Sequence, residues 1–259
     1  MSFTKDLLAH QHIVISGGVG ALGAAIVKGL AGHGARVTVN DVLEDHVAIS
    51  RLERAGVDGE SFRYIRADIT DAREADRLIA DARAAFGPVH TALCHAGIVV
   101  AKPLLDISQS DWERTMDVNL KAAFLLGKSA ARTMLEDGVA GHLIFTTSWV
   151  SETPWPEIGP YNASKAGMNQ LMRSFARELA PKVRANAIAP GIVGAGMAKI
   201  QWDTDPTYRA RAQRAIPLGA MQPLESVVNA FLFLCSPAAS YMTGSVLVVD
   251  GGCSLYPMD

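Results

Sequence analysis

Ser16-Gly17-Gly18-Val19-Gly20-Ala21-Leu22-Gly23 follows a β-branched run, 12–16, and opens a helical pattern over 21–32. A strand, a glycine-rich turn and a helix in that order bring the main chain round tightly. The helix start then offers unpaired N–H groups and positive potential. Such a turn suits an anion held against the backbone, as a diphosphate is. A tight βα turn needs glycine in any case, so the stretch takes its meaning from what surrounds it.

Working outward, short apolar runs alternate with longer helical patterns to the end of the chain. Strands are expected at 36–40, 62–66, 91–95, 142–147, 183–188 and 245–249. Helices are expected at 44–55, 72–86, 111–135, 161–179 and 224–235, with a poorly patterned helical stretch at 196–214. Runs such as IVI, VTV, LIF and VLVV suit parallel strands covered on both faces. The repeated βα alternation predicts an α/β fold: one domain, a doubly wound Rossmann-type parallel sheet of about seven strands, helices on both faces. A closed eight-fold barrel competes at this length, and the glycine-rich first turn decides against it. No linker or repeat interrupts the chain. Segment 192–216, with Gly194, Gly196 and Pro206, reads as a lid over a site.

The chain has 259 residues, 49% apolar and 19% charged. That composition excludes disorder, collagen-like repeats and coiled coil. A formal charge of −2 gives no sign of a nucleic-acid or membrane-surface partner. No apolar run approaches the ~18 residues of a membrane helix, and MSFTKDLLAHQHIV shows no leader pattern. Cys94, Cys235 and Cys253 are odd in number, far apart and without metal-ligand spacing. A reduced, cytoplasmic setting and no metal are expected.

Asp41 closes the run Val37-Thr38-Val39-Asn40-Asp41, about 20 residues beyond the glycines. A carboxylate there accepts hydrogen bonds from an adenosine ribose diol. Taken alone it also suits a turn or a helix N-cap; with the glycine turn it favours a dinucleotide. A 2′-phosphate beside Asp41 would meet like charge, and Gly18, Asn40 and Val42 supply no cation to offset it. NAD is therefore expected over NADP.

Ser148 follows the run LIFTT, and Tyr161-Asn162-Ala163-Ser164-Lys165 opens the next helix. Tyr161 and Lys165 stand one helical turn apart and share a face. A free tyrosine, with a pKa of about 10, is a poor base near neutrality. A neighbouring ammonium favours the phenolate, which then exchanges a proton with a carbinol or carbonyl oxygen. A Tyr-x-x-x-Lys pair on a helix is more often surface decoration, so spacing alone does not settle its role.

Over its whole length the sequence resembles the short-chain dehydrogenase/reductase family. The residues that carry the likeness are Ser16-Gly17 through Gly23, Asp68-Ile69, Ala96-Gly97, Asn119, Ser148, Tyr161 with Lys165, and Pro190-Gly191. The resemblance implies roles. Tyr161 is the general acid/base, Ser148 orients the substrate oxygen, and Lys165 binds the nicotinamide ribose and lowers the Tyr161 pKa. Asn119 holds a water of the proton relay. Ser16, Gly17, Val19, Ala21, Leu22 and Gly23 surround the diphosphate, Asp68 and Ile69 flank the adenine, and His95, Ala96 and Gly97 border the cofactor. Pro190, Gly191 and Val193 line the nicotinamide. A homotetramer is also implied, and the apolar helix 227–235 and the tail Leu255-Tyr256-Pro257 are compatible with it.

Four positions depart from the family pattern. Ser16 replaces Thr, Ala21 stands for a glycine, His95 for the first Asn of Asn-Ala-Gly, and Ala195 for a Thr. For His95 a turn histidine bonded to backbone is favoured over a catalytic one. The step Pro154-Trp155-Pro156 resembles the bacterial glucose 1-dehydrogenase branch, which points to an aldose or polyol. Ser148, Trp149, Val150, Trp155, Tyr161 and Gly191 are then the expected substrate contacts, with Trp202 and Glu152 as further candidates. Tryptophans in such segments more often pack the loop itself. Val99 and Val100 argue instead for a hydrophobic hydroxy or keto compound, steroid-like or a 3-oxoacyl thioester. A non-catalytic NAD sensor would not need Ser148, Tyr161 and Lys165 together.

Overall fold

The structure, a computed structural model, describes residues 3–255. β1 (His12–Ser16) is buried at every residue, and its alternate side chains feed two separate cores. Ile13 and Ile15 join one core and Val14 the other, as the two-residue period of a strand requires. Cover is therefore needed on both faces of the sheet.

β1 pairs in parallel with β2 (Arg36–Asp41) on one side and β4 (Thr91–Cys94) on the other. β3 (Phe62–Arg66), β5 (Gly141–Thr146), β6 (Val183–Pro190) and β7 (Val246–Val249) complete a seven-stranded sheet of order β3-β2-β1-β4-β5-β6-β7. Every pairing is parallel. Strand order reverses between β1 and β4, which opens a crevice at the C-terminal ends of the strands. The helices are α1 (Ala21–Gly32), α2 (Asp45–Arg54), α3 (Ala72–Phe86), α4 (Gln109–Met116), α5 (Ala122–Glu136), α6 (Gly159–Leu179), α7 (Gly196–Thr204), α8 (Pro206–Ala215) and α9 (Leu224–Cys235). Ile26, Leu52 and Phe231 from α1, α2 and α9 cover the Ile13 face. Leu78, Leu126 and Met168 from α3, α5 and α6 cover the Val14 face. The expected doubly wound fold is the one observed.

Two helical expectations are corrected. The single helix expected at 111–135 is α4 and α5 joined by a π turn, Asp117–Lys121, which carries the fully buried Asn119. A π turn adds a residue without breaking the helical rod, and such turns gather at functional sites. The stretch 196–214 is two helices. Pro206 has no N–H to continue α7, and the Asp205 carboxylate accepts from the amides of Thr207 and Tyr208 to start α8. β6 also runs on to Pro190, so its end reaches the crevice. A third apolar cluster (Trp149, Trp155, Ile192, Ala212, Ala215, Ile216) sits beyond the strand ends. Tyr256 and Pro257 lie outside the described residues. Among the described residues, no helix is long and apolar enough to cross a membrane.

Candidate active site

Ser16 ties the two strand ends that flank the crevice. Its hydroxyl accepts from the amides of His95 (3.0 Å) and Ala96 (3.1 Å), which brings the β4 turn against the β1 turn. Gly17, at φ +67°, can be nothing larger, since a Cβ there would lie 2.8 Å from the Ala96 Cα. A Cβ on Gly23 would run into the Gly17 carbonyl and lie 2.8 Å from the Gly18 Cα. The helix start is thus pressed onto the turn. No side chain caps α1, and its first turn holds no acidic residue, so its amides face outward without a competing anion.

Three spaces follow one another along the strand ends. The first, about 740 Å³, runs from Asp41, Asp68 and Ile69 past Gly17, Leu22 and Gly23 to His95, Ala96 and Gly97. The second, about 270 Å³, starts from Leu22, His95 and Gly97 and continues to Ser148, Tyr161, Lys165, Pro190, Gly191 and Val193. The third, also about 270 Å³, shares Ser148, Tyr161 and Gly191 with the second and is walled by Trp149, Val150 and Trp155. The cleft therefore opens into a chamber walled in part by apolar side chains, with Ser148 and Tyr161 on the boundary.

Ser16, Val19 and Ala21 line none of these spaces, against expectation. The Ser16 hydroxyl turns inward to the β4 turn, Val19 packs in the core, and Ala21 sits exposed on the first turn of α1. Glu152, Trp202 and Val100 also stay outside the chamber, whereas Val99 lines it. Trp149 and Trp155 do both things at once. They pack edge to face at 5.5 Å and still present a wall to the chamber.

The Asn119 side chain is fully engaged. Its amide donates to the Ile98 carbonyl and the Ser164 hydroxyl, both at 3.0 Å, and its oxygen accepts from the Ile98 amide at 2.8 Å. Lys165 Nζ donates to the Thr146 carbonyl at 2.7 Å and lies 5.4 Å from the centre of the Tyr161 ring. Burial pushes the Tyr161 phenol up to about 12, and the facing Ser148 hydroxyl pulls it the other way. Burial also brings the Lys165 ammonium down to about 8. His95 Nδ1 shares a hydrogen bond with Thr146 Oγ1 at 3.0 Å. Burial, with the nearby Lys165 charge second, lowers the His95 imidazole to about 4, so it is neutral near pH 7.

At the far end, Asp41 Oδ1 accepts from the Val42 amide at 2.8 Å. Two arginines border a recess beside it, and both are already paired. Arg66 meets Glu44 at 2.7 Å, and Arg77 meets Glu74 and Asp81. Thr146 and Arg211 also border the site, and no sequence motif marks either. Thr146 stands two residues before Ser148, and Arg211 reaches the site on α8.

A family model described as enoyl-(acyl carrier protein) reductase matches residues 18–254. A 3beta-hydroxysteroid dehydrogenase 1 from Eggerthella lenta is 34% identical over 97% of this chain and 97% of its own length. A glucose 1-dehydrogenase from Gluconobacter oxydans is 30% identical over 97% of this chain and 95% of its own. The crystal structure of a short-chain type dehydrogenase/reductase from Mycobacterium marinum superposes with a TM-score of 0.87 at 30% identity, covering 97% of this chain and 99% of that one. The chain belongs to the short-chain dehydrogenase/reductase family, whose members are oxidoreductases that use a nicotinamide cofactor.

Proposed function

We propose that the chain is an NAD-dependent dehydrogenase of secondary alcohols, with Tyr161 as the proton-transfer group. One observation carries this reading. Ser148 and Tyr161 border both the chamber that continues from the dinucleotide cleft and the apolar chamber beyond it. Nicotinamide, when bound, would supply the hydride acceptor for the carbinol carbon and the hydride donor for the carbonyl.

The chain's own residues divide the rest. The uncapped start of α1 fits the diphosphate, Asp41 the adenosine ribose diol, and Asp68 and Ile69 the adenine. Pro190, Gly191 and Val193 fit the nicotinamide, and Lys165 its ribose. Tyr161 takes the hydroxyl proton in oxidation and gives it back in reduction, while Ser148 hydrogen-bonds the same oxygen. Asn119 has no side-chain donor left, so a relay water falls to the backbone of its π turn. Segment 192–216, which carries α7 and α8 along the outer chamber, is the cover. Asp41, which lines the cleft at this end, supports NAD over NADP, since a 2′-phosphate there would meet like charge.

Val99, Trp149, Val150, Trp155, Ile158 and Met197 give the chamber an apolar wall. That favours a ring-borne or otherwise apolar hydroxy or keto compound, the chemistry named for the Eggerthella relative. The aldose or polyol reading keeps the polar side of the same wall, Glu157, Gln201, Asp205, Thr207 and Arg211, and the Gluconobacter relative. Exposed Trp112 and Phe124 on α4 and α5 and Val248 on β7 leave apolar surface to be covered, which supports the homotetramer. The test is NADH formation from NAD across hydroxysteroids, cyclic alcohols, 3-hydroxyacyl esters and aldoses, with NADP in parallel. Turnover of the apolar alcohols with NAD is expected. Turnover of aldoses alone would turn the substrate assignment round, and no turnover of any alcohol would end the reading.

A further inference from the structure

α8 turns one face inward through Tyr208, Ala212 and Ala215, at the spacing of a helix stripe. Arg211 lies on that same face and lines the outer chamber together with Ser148 and Tyr161. Its guanidinium stands over the Trp155 ring, 5.9 Å from the centre, and its side chain is 32% exposed. A cation on a face otherwise packed against apolar side chains calls for a reason, because burying charge without a partner is costly.

Its surroundings do not supply one. Among the described residues, the one ion partner is Glu157, at 4.0 Å, with the carboxylate side chain 58% exposed. That separation is too long for a hydrogen bond. Asp205 lines the same chamber, but its Oδ1 is taken by the Thr207 and Tyr208 amides, at 2.8 and 3.1 Å. The five N–H donors of Arg211 thus have no close acceptor among the described residues. The cation–π contact with Trp155 leaves the N–H edge of the guanidinium for a ligand.

We infer that the substrate carries an anionic group, a carboxylate in the simplest case, on an apolar framework, and that Arg211 pairs with it while Ser148 and Tyr161 hold the hydroxyl-bearing end. The inference rests on the outer chamber being the substrate site proposed above. Glu157 is then a competing anion beside the same guanidinium. A planar guanidinium recognises a carboxylate through paired, charge-assisted hydrogen bonds, which a neutral amide cannot match.

The test is calorimetric binding of benzoate and benzamide to the full chain with NAD present. Neither ligand has a hydroxyl, so the result does not depend on turnover, and failure of the alcohol panel is read separately. Benzoate is expected to bind roughly ten- to a hundredfold more tightly than benzamide. Arg211→Gln brings the ratio close to one, and Glu157→Gln raises it a few-fold. The preference shrinks as salt is added. Equal binding of the two ligands to the unaltered chain overturns the inference, as does no binding of either. An Arg211→Gln ratio unchanged from the unaltered chain overturns it too, and a merely structural Arg211 would give that result along with a lower melting temperature. Should Arg211→Gln not fold, a ratio unmoved by Glu157→Gln overturns it as well.

Discussion

Lys165 is buried beside the partly buried Tyr161, the ammonium 5.4 Å from the ring centre, and loss of water acts on the two in opposite directions. Loss of water raises the phenol and lowers the amine, because each environment disfavours the charged form. The resemblance implied that the ammonium lowers the Tyr161 pKa. In the structure the pull on the phenol comes from Ser148, and burial outweighs it.

The proton transfer proposed for Tyr161 predicts a pH dependence. Oxidation needs the phenolate, so its rate rises with pH, while reduction is favoured at the acid side. Ser148→Ala removes the group that pulls the phenol down, and the rising limb of kcat for oxidation moves to higher pH. Tyr161→Phe lowers kcat by roughly 10²–10⁴-fold in both directions and leaves NAD binding nearly intact. Steady-state rates and NAD titrations check all three; unchanged turnover in Tyr161→Phe would remove the assigned mechanism.

Lys165 carries a stability cost. Its ammonium is held at about 8 against an ordinary 10.5, so between those values the unfolded chain keeps a proton the folded chain has lost. Stability therefore rises with pH across that window, and below it the full penalty is present. After loss of the bond to Thr146, Lys165→Met is expected to gain about 1–3 kcal/mol at pH 7. Urea midpoints at pH 7 and pH 10 check this, the gain being smaller at the higher pH. A variant less stable than the parent at pH 7 would contradict it.

Cofactor choice can be moved at Asp41 and Glu44. Asp41→Ser removes like charge from the 2′ position and raises the NADP-to-NAD ratio of kcat/KM by about tenfold, the change that ~1.4 kcal/mol produces. Adding Glu44→Gln frees Arg66, whose ion pair is exposed and weak, and adds a few-fold more. A ratio that does not move in either variant argues against Asp41 as the discriminating group.

His95 makes the chain sensitive to acid. Its imidazole titrates at about 4 in the fold and at about 6.5 when free, so the unfolded chain binds the proton first and stability falls as pH drops through that window. His95→Asn removes this contribution and flattens the loss between pH 6.5 and pH 4 by about 1–3 kcal/mol. Denaturant midpoints at the two pH values measure it, and parallel curves for both proteins would refute it.

Much of this was legible in the chain. Continuous apolar strands and the glycine turn specify the doubly wound sheet, because a parallel strand buried on both faces leaves that signature. Tyr161 and Lys165 could be placed together because one helical turn fixes their spacing. Ser16 and Val19 could not be placed, since sequence does not say which side of a turn a side chain takes. The π turn was hidden because Asp117–Lys121 holds no proline or glycine to interrupt the helical run of 111–135. Arg211 reaches the chamber only through the bend at Pro206, which a continuous helical reading of 196–214 conceals.

The extra residue between α4 and α5 makes chain length itself a constraint at this point. Deleting one residue from Asp117–Lys121 would restore an ordinary helical turn, leave the facing of α5 unchanged and remove the widened turn that holds Asn119. Ala123, Leu126 and Ala130 would stay in the core, whereas Asn119 would leave Ile98 and Ser164. Substitutions in this stretch can be absorbed one side chain at a time, whereas a single-codon deletion cannot. Among diverging descendants of this chain, the interval from Ser108 to Ala122 should therefore vary in composition and hold its residue count.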